Sequence, residues 1–217
     1  MVACILAVNR CADWNSRLCR WENDDHHTNK QTFYNQAFNT LFNYSFRGFY
    51  ELRDIWKLNV YLGNKIMSNT SCKLFDARTI EKKIDIWVTD PPYADAVNYH
   101  ELSEFFLAWD KKILRKAFSE WYTDSKKILA VKGREQSFKQ SMVEIYSNLA
   151  KNMPDNGLQI IMFTHQDVSV WADLALIVWS AGLQVVAAWN IATETEASGL
   201  KEGNYVKGTV LLVLRKQ

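Results

Sequence analysis

The chain has 217 residues, of which 48% are hydrophobic and 23% are charged. This composition is typical of a globular protein and excludes a largely disordered chain. Lys and Arg number 26 against 24 Asp and Glu, a net charge of +2, so total charge neither requires nor excludes a nucleic-acid partner. No apolar run approaches the about 18 residues that span a membrane, and residues 1–8 lack the basic flank of a secretory signal. The four cysteines form no CxxC pair, so we expect no metal site, no disulfide framework and a cytoplasmic protein.

Residues 1–68 predict a helical arm. Trp14, Leu18 and Trp21 recur at three- and four-residue steps, and residues 33–42 repeat this helical spacing after a polar break. A further helix is predicted from residue 49 to about residue 67, after Gly48.

Residues 69–217 predict an α/β domain. Strands are predicted at residues 72–75, 84–89, 158–163, 183–191 and 206–215, and helices at residues 98–114, 137–152 and 168–181, the last closed by Gly182. Strands that alternate with helices indicate a largely parallel sheet. Because a polar loop joins the last two strands without a helix, we expect them to form an antiparallel pair at one edge.

The motif most informative about chemistry is Asp90-Pro91-Pro92-Tyr93, directly after the predicted strand 84–89. Open α/β sheets bind ligands at the carboxyl ends of their strands. Two successive prolines stiffen the backbone and remove two N–H donors. The Asp90 carboxylate and the Tyr93 ring are therefore held in a fixed relative position. This arrangement suits a planar ligand with an amino group, which the carboxylate and a backbone carbonyl bind while the ring stacks. The alternative is an ordinary strand-to-helix turn.

Together with further motifs, this segment resembles a group of long prokaryotic adenine-specific DNA methylases. The resemblance rests on Thr89–Tyr93 followed by Tyr99, residues 101–106 and Trp109, and on the upstream residues 10–16 and 18–21. It continues downstream in residues 163–166, Trp171, residues 181–182, Trp189 and residues 193–194.

The resemblance implies a partial Rossmann-like methyltransferase sheet with an antiparallel last strand, preceded by the helical arm. It implies transfer of a methyl group from S-adenosylmethionine to the N6 amine of an adenine flipped out of DNA. Asp90 and the Pro91 carbonyl would bind the amine, Pro92 would stiffen the turn, and Tyr93 would stack on the base.

Other candidate residues carry weaker signals. Asp76 and Ala77, after a short predicted strand, are similar to the segment that borders the cofactor in this fold, although a plain strand-end Asp is equally compatible. Candidate substrate-binding residues are Asn98, Lys132, His165, Thr193 and Glu194. For His165 a structural role is the main alternative, for Thr193 and Glu194 a polar loop, and for the basic stretch around Lys132 a solvated face.

The chain departs from the resembled group in its glycines. None of the eight lies in a G-x-G turn after a strand, which is the element that holds the cofactor in methyltransferases of this fold. We therefore expect the chain to act with an upstream methyltransferase segment or a partner subunit, and to bind the cofactor weakly by itself. The alternatives are a non-catalytic nucleic-acid-binding or scaffold subunit of a modification or defence complex, and a methylase of RNA or protein.

Overall fold

The computed structural model describes residues 2–22, 29–41, 71, 73–92, 99–120, 122, 131, 136–192 and 208–217. The helices are α1 (Val2–Trp14), α2 (Tyr99–Ala117), α3 (Gln136–Lys151) and α4 (Val168–Ser180), with a 3₁₀ turn at Ala77–Thr79. The strands are β1 (Ile86–Thr89), β2 (Leu158–Phe163), β3 (Leu183–Ile191) and β4 (Thr209–Lys216). These elements confirm the predicted mixed α/β class. None of the described helices is long and apolar enough to cross a membrane.

The chain divides into two compact units. The first comprises Met1–Leu74 and Tyr99–Lys127, and the second comprises Phe75–Asn98 and Ile128–Gln217. The predicted boundary at residues 68 and 69 lies outside the described residues and stays a prediction, as does the helix predicted at residues 49–67.

In the first unit, α1 packs against α2, and the described residues 15–22 and 29–41 bond to the C-terminal end of α1 and to each other. The last carbonyls of a helix need donors from outside it. Thr32 Oγ1 donates to the Asp13 carbonyl at 2.7 Å, and Asn29 Nδ2 donates to the Trp14 carbonyl at 3.1 Å. Both side chains are buried, so capping of the helix end helps to hold this polar segment.

The helix predicted over residues 33–42 is wrong for the described residues 33–41, which form turns and irregular backbone. Their amides bond to distant carbonyls: Ala37 N–H donates to Leu18 O at 3.3 Å, and Asn39 N–H donates to Arg17 O at 2.9 Å. These long-range bonds replace the i to i−4 pattern, and Asn35 adopts a positive φ of 51° that a helix does not contain.

The second unit is built on a four-stranded sheet of order β1-β2-β4-β3. β1 pairs parallel with β2, whereas β4 pairs antiparallel with both β2 and β3. Three strands therefore share one direction, and the predicted antiparallel pair β3–β4 is confirmed at one edge. α4 ends as predicted, because Gly182 takes a φ of 77° that favours glycine.

The short strand predicted at residues 72–75 is not observed in its described part, residues 73–75. The chain instead turns at once, because the Asp76 carboxylate accepts the Arg78 N–H at 3.0 Å and begins the 3₁₀ turn.

One face of the sheet carries the core of the second unit. Both described helices of this unit, α3 and α4, pack on the face that presents Ile161, Phe163 and Leu214. Side chains alternate between faces along a strand, so the neighbouring positions point to the opposite face. On that second face Ile86, Val88 and Trp189 are 54%, 61% and 59% exposed.

We predict that this exposed apolar surface makes the chain associate with itself or with a partner, because sheets of this kind are normally covered on both faces. The double substitution Ile86→Thr and Val88→Thr keeps β-branched side chains while removing apolar contact area. It should shift the chain toward monomer in light scattering over a concentration series. Val168→Thr, at a valine that is 79% exposed on α4, is the matched control. A wild-type chain that stays monomeric at high concentration would contradict the prediction.

A second prediction concerns Asp110 of α2, which is 2% exposed. Burial raises the pKa of this carboxyl, and a hydrogen bond from Asn9 of α1 opposes the shift. Oδ1 of Asp110 and Oδ1 of Asn9 have no hydrogen-bond partner within the described part of the chain, so the protonated, neutral carboxyl is the form that this buried position stabilises. Because the folded pKa lies above the unfolded one, this stabilisation is present at acid pH and is lost as pH rises through the folded pKa.

Asp110→Asn should therefore flatten this pH dependence and raise the free energy of unfolding at pH values above the folded pKa, where the wild-type side chain is a buried charge. Urea unfolding at several pH values measures it, with the exposed Glu101→Gln on the same helix as control. If wild type and Asp110→Asn lose stability in parallel as pH rises, the carboxyl of Asp110 is not the titrating group.

Candidate functional site

The proline turn lies at the carboxyl edge of the two adjacent parallel strands. Thr89, the last residue of β1, is in register with Ile161 of β2, so Asp90 emerges beside the end of β2. Pro91 is buried while Asp90 and Pro92 are exposed. The burial of Pro91 anchors the turn and leaves the Asp90 carboxylate open to a ligand.

A buried polar group supports the turn from below. Thr89 Oγ1 accepts a hydrogen bond from Gln159 Nε2 at 2.9 Å and lies 3.3 Å from the Ile160 carbonyl, to which it donates. The Tyr146 hydroxyl lies 3.5 Å from the same oxygen. Tyr146 and Gln159 are each 1% exposed. One hydroxyl thus joins β1, β2 and α3 immediately before Asp90.

The electrostatics of this group link it to Asp90. Burial raises the pKa of Tyr146 to about 12; the hydrogen bond with Thr89 lowers this pKa and the negative charge of Asp90 raises it. The hydroxyl of Tyr146 therefore stays protonated at neutral pH and lies within the field of the Asp90 carboxylate.

Sequence reasoning missed Tyr146 and Gln159. Gln159 interrupts an otherwise apolar strand, Leu158–Phe163, and a polar residue in such a run needs a buried partner. That interruption was the available signal. Tyr146 had none, because its partner is 57 residues away along the chain.

A small cavity of about 20 Å³ lies beside the turn. Pro91 and Pro92 line it together with residues of α3, β2 and α4: Phe138, Lys139, Met142, Phe163, Val170, Asp173, Leu174 and Ile177. Such a volume holds about one water molecule. The described residues beside the turn therefore leave room for about one water molecule and not for a base.

Asp76 and Ala77 lie at a different place on the unit. Asn148 Nδ2 of α3 donates to the carbonyls of Ala77 and Ile80 at 3.0 and 2.9 Å, which fastens their turn to the C-terminal half of the helix. The proline turn, by contrast, shares its cavity with residues from the N-terminal half. Arg78 donates three side-chain hydrogen bonds of 2.9, 3.1 and 2.6 Å to the Asp76 carboxylate and lowers its pKa. This carboxylate is thus occupied within its own turn.

His165 follows β2 at the same edge of the sheet as Asp90. Its Nδ1 accepts the Asp167 N–H at 3.0 Å, and its carbonyl accepts Trp171 Nε1–H at 2.9 Å. Both contacts organise the turn into α4, whose first residues are capped by the Asp167 carboxylate through Ser169 N–H at 2.8 Å. The geometry therefore gives His165 a structural role, and its contact with substrate stays a prediction.

The remaining predicted site residues lie outside the described part of the chain, namely Tyr93, Asn98, Lys132, Thr193 and Glu194. Lys139, from the predicted basic stretch, is described, and its Nζ pairs with Asp173 at 2.6 Å. β3 ends and β4 begins at the edge that carries Asp90, where Thr164 Oγ1 donates to Gly208 O at 2.9 Å.

The upstream residues that carry the resemblance have structural contacts. Cys19 is fully buried, and its Sγ lies 3.3 Å from both the Asp13 carbonyl and Thr32 Oγ1. No three His, Cys, Asp or Glu side chains converge as a metal site among the residues that the structure describes.

Comparison with known proteins adds no relative. No protein-family model matches the chain, and no curated protein matches it at a significant level.

The contribution of the Thr89 hydroxyl to the stability of this site can be tested by substitution. Thr89→Val keeps the shape but leaves Gln159 Nε2 with only the Ile160 carbonyl, 3.2 Å away, and removes the partner of Tyr146. We expect it to lower the free energy of unfolding by about 2 kcal/mol, against about 1 kcal/mol for Tyr146→Phe. Urea unfolding measures both. Thr89→Ser, which retains the hydroxyl, is the control and should lie nearest the wild type; equal stability of all four proteins would contradict the network.

Proposed function

We propose that this chain is the base-binding part of an adenine-specific DNA amino-methyltransferase that uses S-adenosylmethionine. The observation that carries the proposal is the Asp90-Pro91-Pro92 turn at the carboxyl edge of β1, anchored by a buried Pro91 with an exposed carboxylate beside it.

The sheet supports this proposal. The resemblance implies a Rossmann-like sheet with an antiparallel last strand, and β4 is the last strand and the antiparallel one. The turn follows β1, which pairs with β2, so the candidate site lies where open α/β sheets bind their ligands.

The chemistry of the base side follows from the turn. The Asp90 carboxylate accepts one N–H of the adenine amine, and the Pro91 carbonyl accepts the other. Accepting both protons draws the nitrogen toward tetrahedral geometry and directs its lone pair away from the ring. The gain is one of positioning, which contributes several kcal/mol when the reacting atoms are held in line. Tyr93 stacks on the flipped base, and no metal is required.

The methyl-donor side is not complete in the described residues. The Asp76 carboxylate, the candidate cofactor ligand, is already paired with Arg78 at 2.6 Å. The sequence also has no G-x-G turn after a strand. These residues do not fit a full S-adenosylmethionine site, so we propose that an upstream segment or a partner subunit supplies the cofactor loop.

The second candidate function is a non-catalytic subunit that binds nucleic acid or acts as a scaffold in a modification or defence complex. The paired state of Asp76 favours this function, because it leaves the chain without a free carboxylate at the predicted cofactor position.

The two functions are separated by variants of the motif, tested in the chain completed with a segment that carries the glycine turn. Asp90→Ala should nearly abolish methyl transfer. It removes a hydrogen bond to a charged group, which contributes about 1.5–3 kcal/mol, and it leaves the adenine amine without the contact that orients its nitrogen toward the methyl group. Tyr93→Ala should weaken base capture about tenfold to a hundredfold, since stacking contributes roughly 1–3 kcal/mol. Tyr93→Phe retains the ring and should have the smallest effect. Transfer of tritium from labelled cofactor to duplex DNA is the measurement.

Asp85→Ala is the matched control, because Asp85 is an exposed aspartate just before the start of the same strand. It should transfer methyl groups at the wild-type rate. Near-normal transfer by Asp90→Ala would show that Asp90 has only a structural role in the turn. Absence of transfer by the completed wild-type protein would favour the non-catalytic function.

A further inference from the structure

Helix α2 presents an exposed aromatic residue that the proposed active site does not use. Trp109 is 59% exposed, although tryptophan has one of the largest apolar surface areas of any side chain. The opposite side of the helix carries the buried Leu107 and Asp110, so Trp109 lies on the outward side. Its exposure needs an explanation beyond packing within the unit.

Basic residues surround Trp109 on the C-terminal half of α2. Lys111, Lys112, Arg115 and Lys116 are all exposed. With 3.6 residues per turn, Lys112 and Lys116 fall within about 60° of Trp109 around the helix axis. We call Trp109, Lys112 and Lys116 the α2 surface.

The acidic residues of α2 are placed elsewhere. Glu101 and Glu104 lie in its N-terminal half and Asp110 is buried, while Glu120 follows the helix. Within α2 the exposed charges of the C-terminal half are therefore all positive, although the whole chain is nearly neutral.

Helix stability does not account for this pattern. Cations favour the last turn of a helix, which explains Arg115 and Lys116 but not Lys112. The spacing also places like charges four residues apart, at Lys112 and Lys116, which destabilises a helix. Lys112 and Lys116 therefore do not stabilise each other within the helix.

We propose that the α2 surface binds the phosphate backbone of nucleic acid, with Trp109 packing on a base or sugar. Cations beside an exposed aromatic ring are the combination that binds single-stranded nucleic acid, where phosphates meet the charges and bases stack. This inference rests on the nucleic-acid partner of the proposed function and names a surface for it, but it requires neither methyl transfer nor Asp90.

The test uses the full chain and a short fluorescein-labelled oligothymidine, with affinity measured by fluorescence anisotropy across a salt series. The double substitution Lys112→Gln and Lys116→Gln should weaken binding and reduce the slope of log affinity against log salt by about 1.4, that is about 0.7 for each lost phosphate contact. Trp109→Ala should weaken binding about tenfold while leaving the slope unchanged.

Matched controls separate this surface from general charge effects. Lys82→Gln with Lys83→Gln removes two exposed lysines before β1, and Trp179→Ala removes a tryptophan that is 64% exposed on α4. Both control proteins should bind as the wild type does.

The proposal would be overturned if oligothymidine did not bind at low salt, or if the control proteins lost as much affinity as the variants of the α2 surface. It would also be overturned if polyglutamate displaced the labelled oligothymidine as well as unlabelled oligothymidine does, while Trp109→Ala had no effect on binding. The last result would identify a general acid-binding surface. Methyl transfer by the completed protein is scored separately, so failure of this proposal and failure of the methyltransferase proposal are distinguishable.

Discussion

The hydroxyl of Thr89 is the point on which the candidate site depends. It is bonded to the side chain of Gln159, to the carbonyl of Ile160 and toward the hydroxyl of Tyr146. Two strands and a helix therefore meet at one oxygen, one residue before Asp90. Because all three partners are buried or part of the sheet, a displacement of the turn would leave polar groups without partners, which is costly inside a core.

This constraint separates the roles of the two sheet faces. The face under α3 and α4 holds the apolar core and the polar group around Thr89, so it fixes the geometry of the turn. The other face is apolar yet exposed at Val88 and Trp189, and it is the face for which we predict association. The candidate chemistry and the candidate assembly surface consequently use different sides of the same strands.

Much of the fold was predictable because its signals are local. The predicted bounds of β2 and β3 match the observed ones, since each is a short apolar run between turn signals, and Gly182 marks the end of α4. The helix predicted over residues 33–42 is wrong where described, because helical spacing also arises in a segment whose amides bond to distant carbonyls.

The candidate site was predictable in part. The proline turn could be found from the sequence, because its residue types and its place after a strand both carry information. The contacts of Tyr146 and Gln159 could not, because they join residues 57 and 70 positions from Thr89, and no periodicity encodes such pairs.

The irregular pairing of β3 makes the two edges of the described sheet unlike. β3 shifts register against β4 between Val185 and Ala187, so Val186 is an extra residue in a bulge. β1 pairs with β2 in unbroken register from Ile86 to Thr89. An incoming strand at β3 would meet an interrupted row of amides and carbonyls, while one at β1 would meet a regular template. Growth of the sheet by strand addition is thereby directed to the side that carries Asp90.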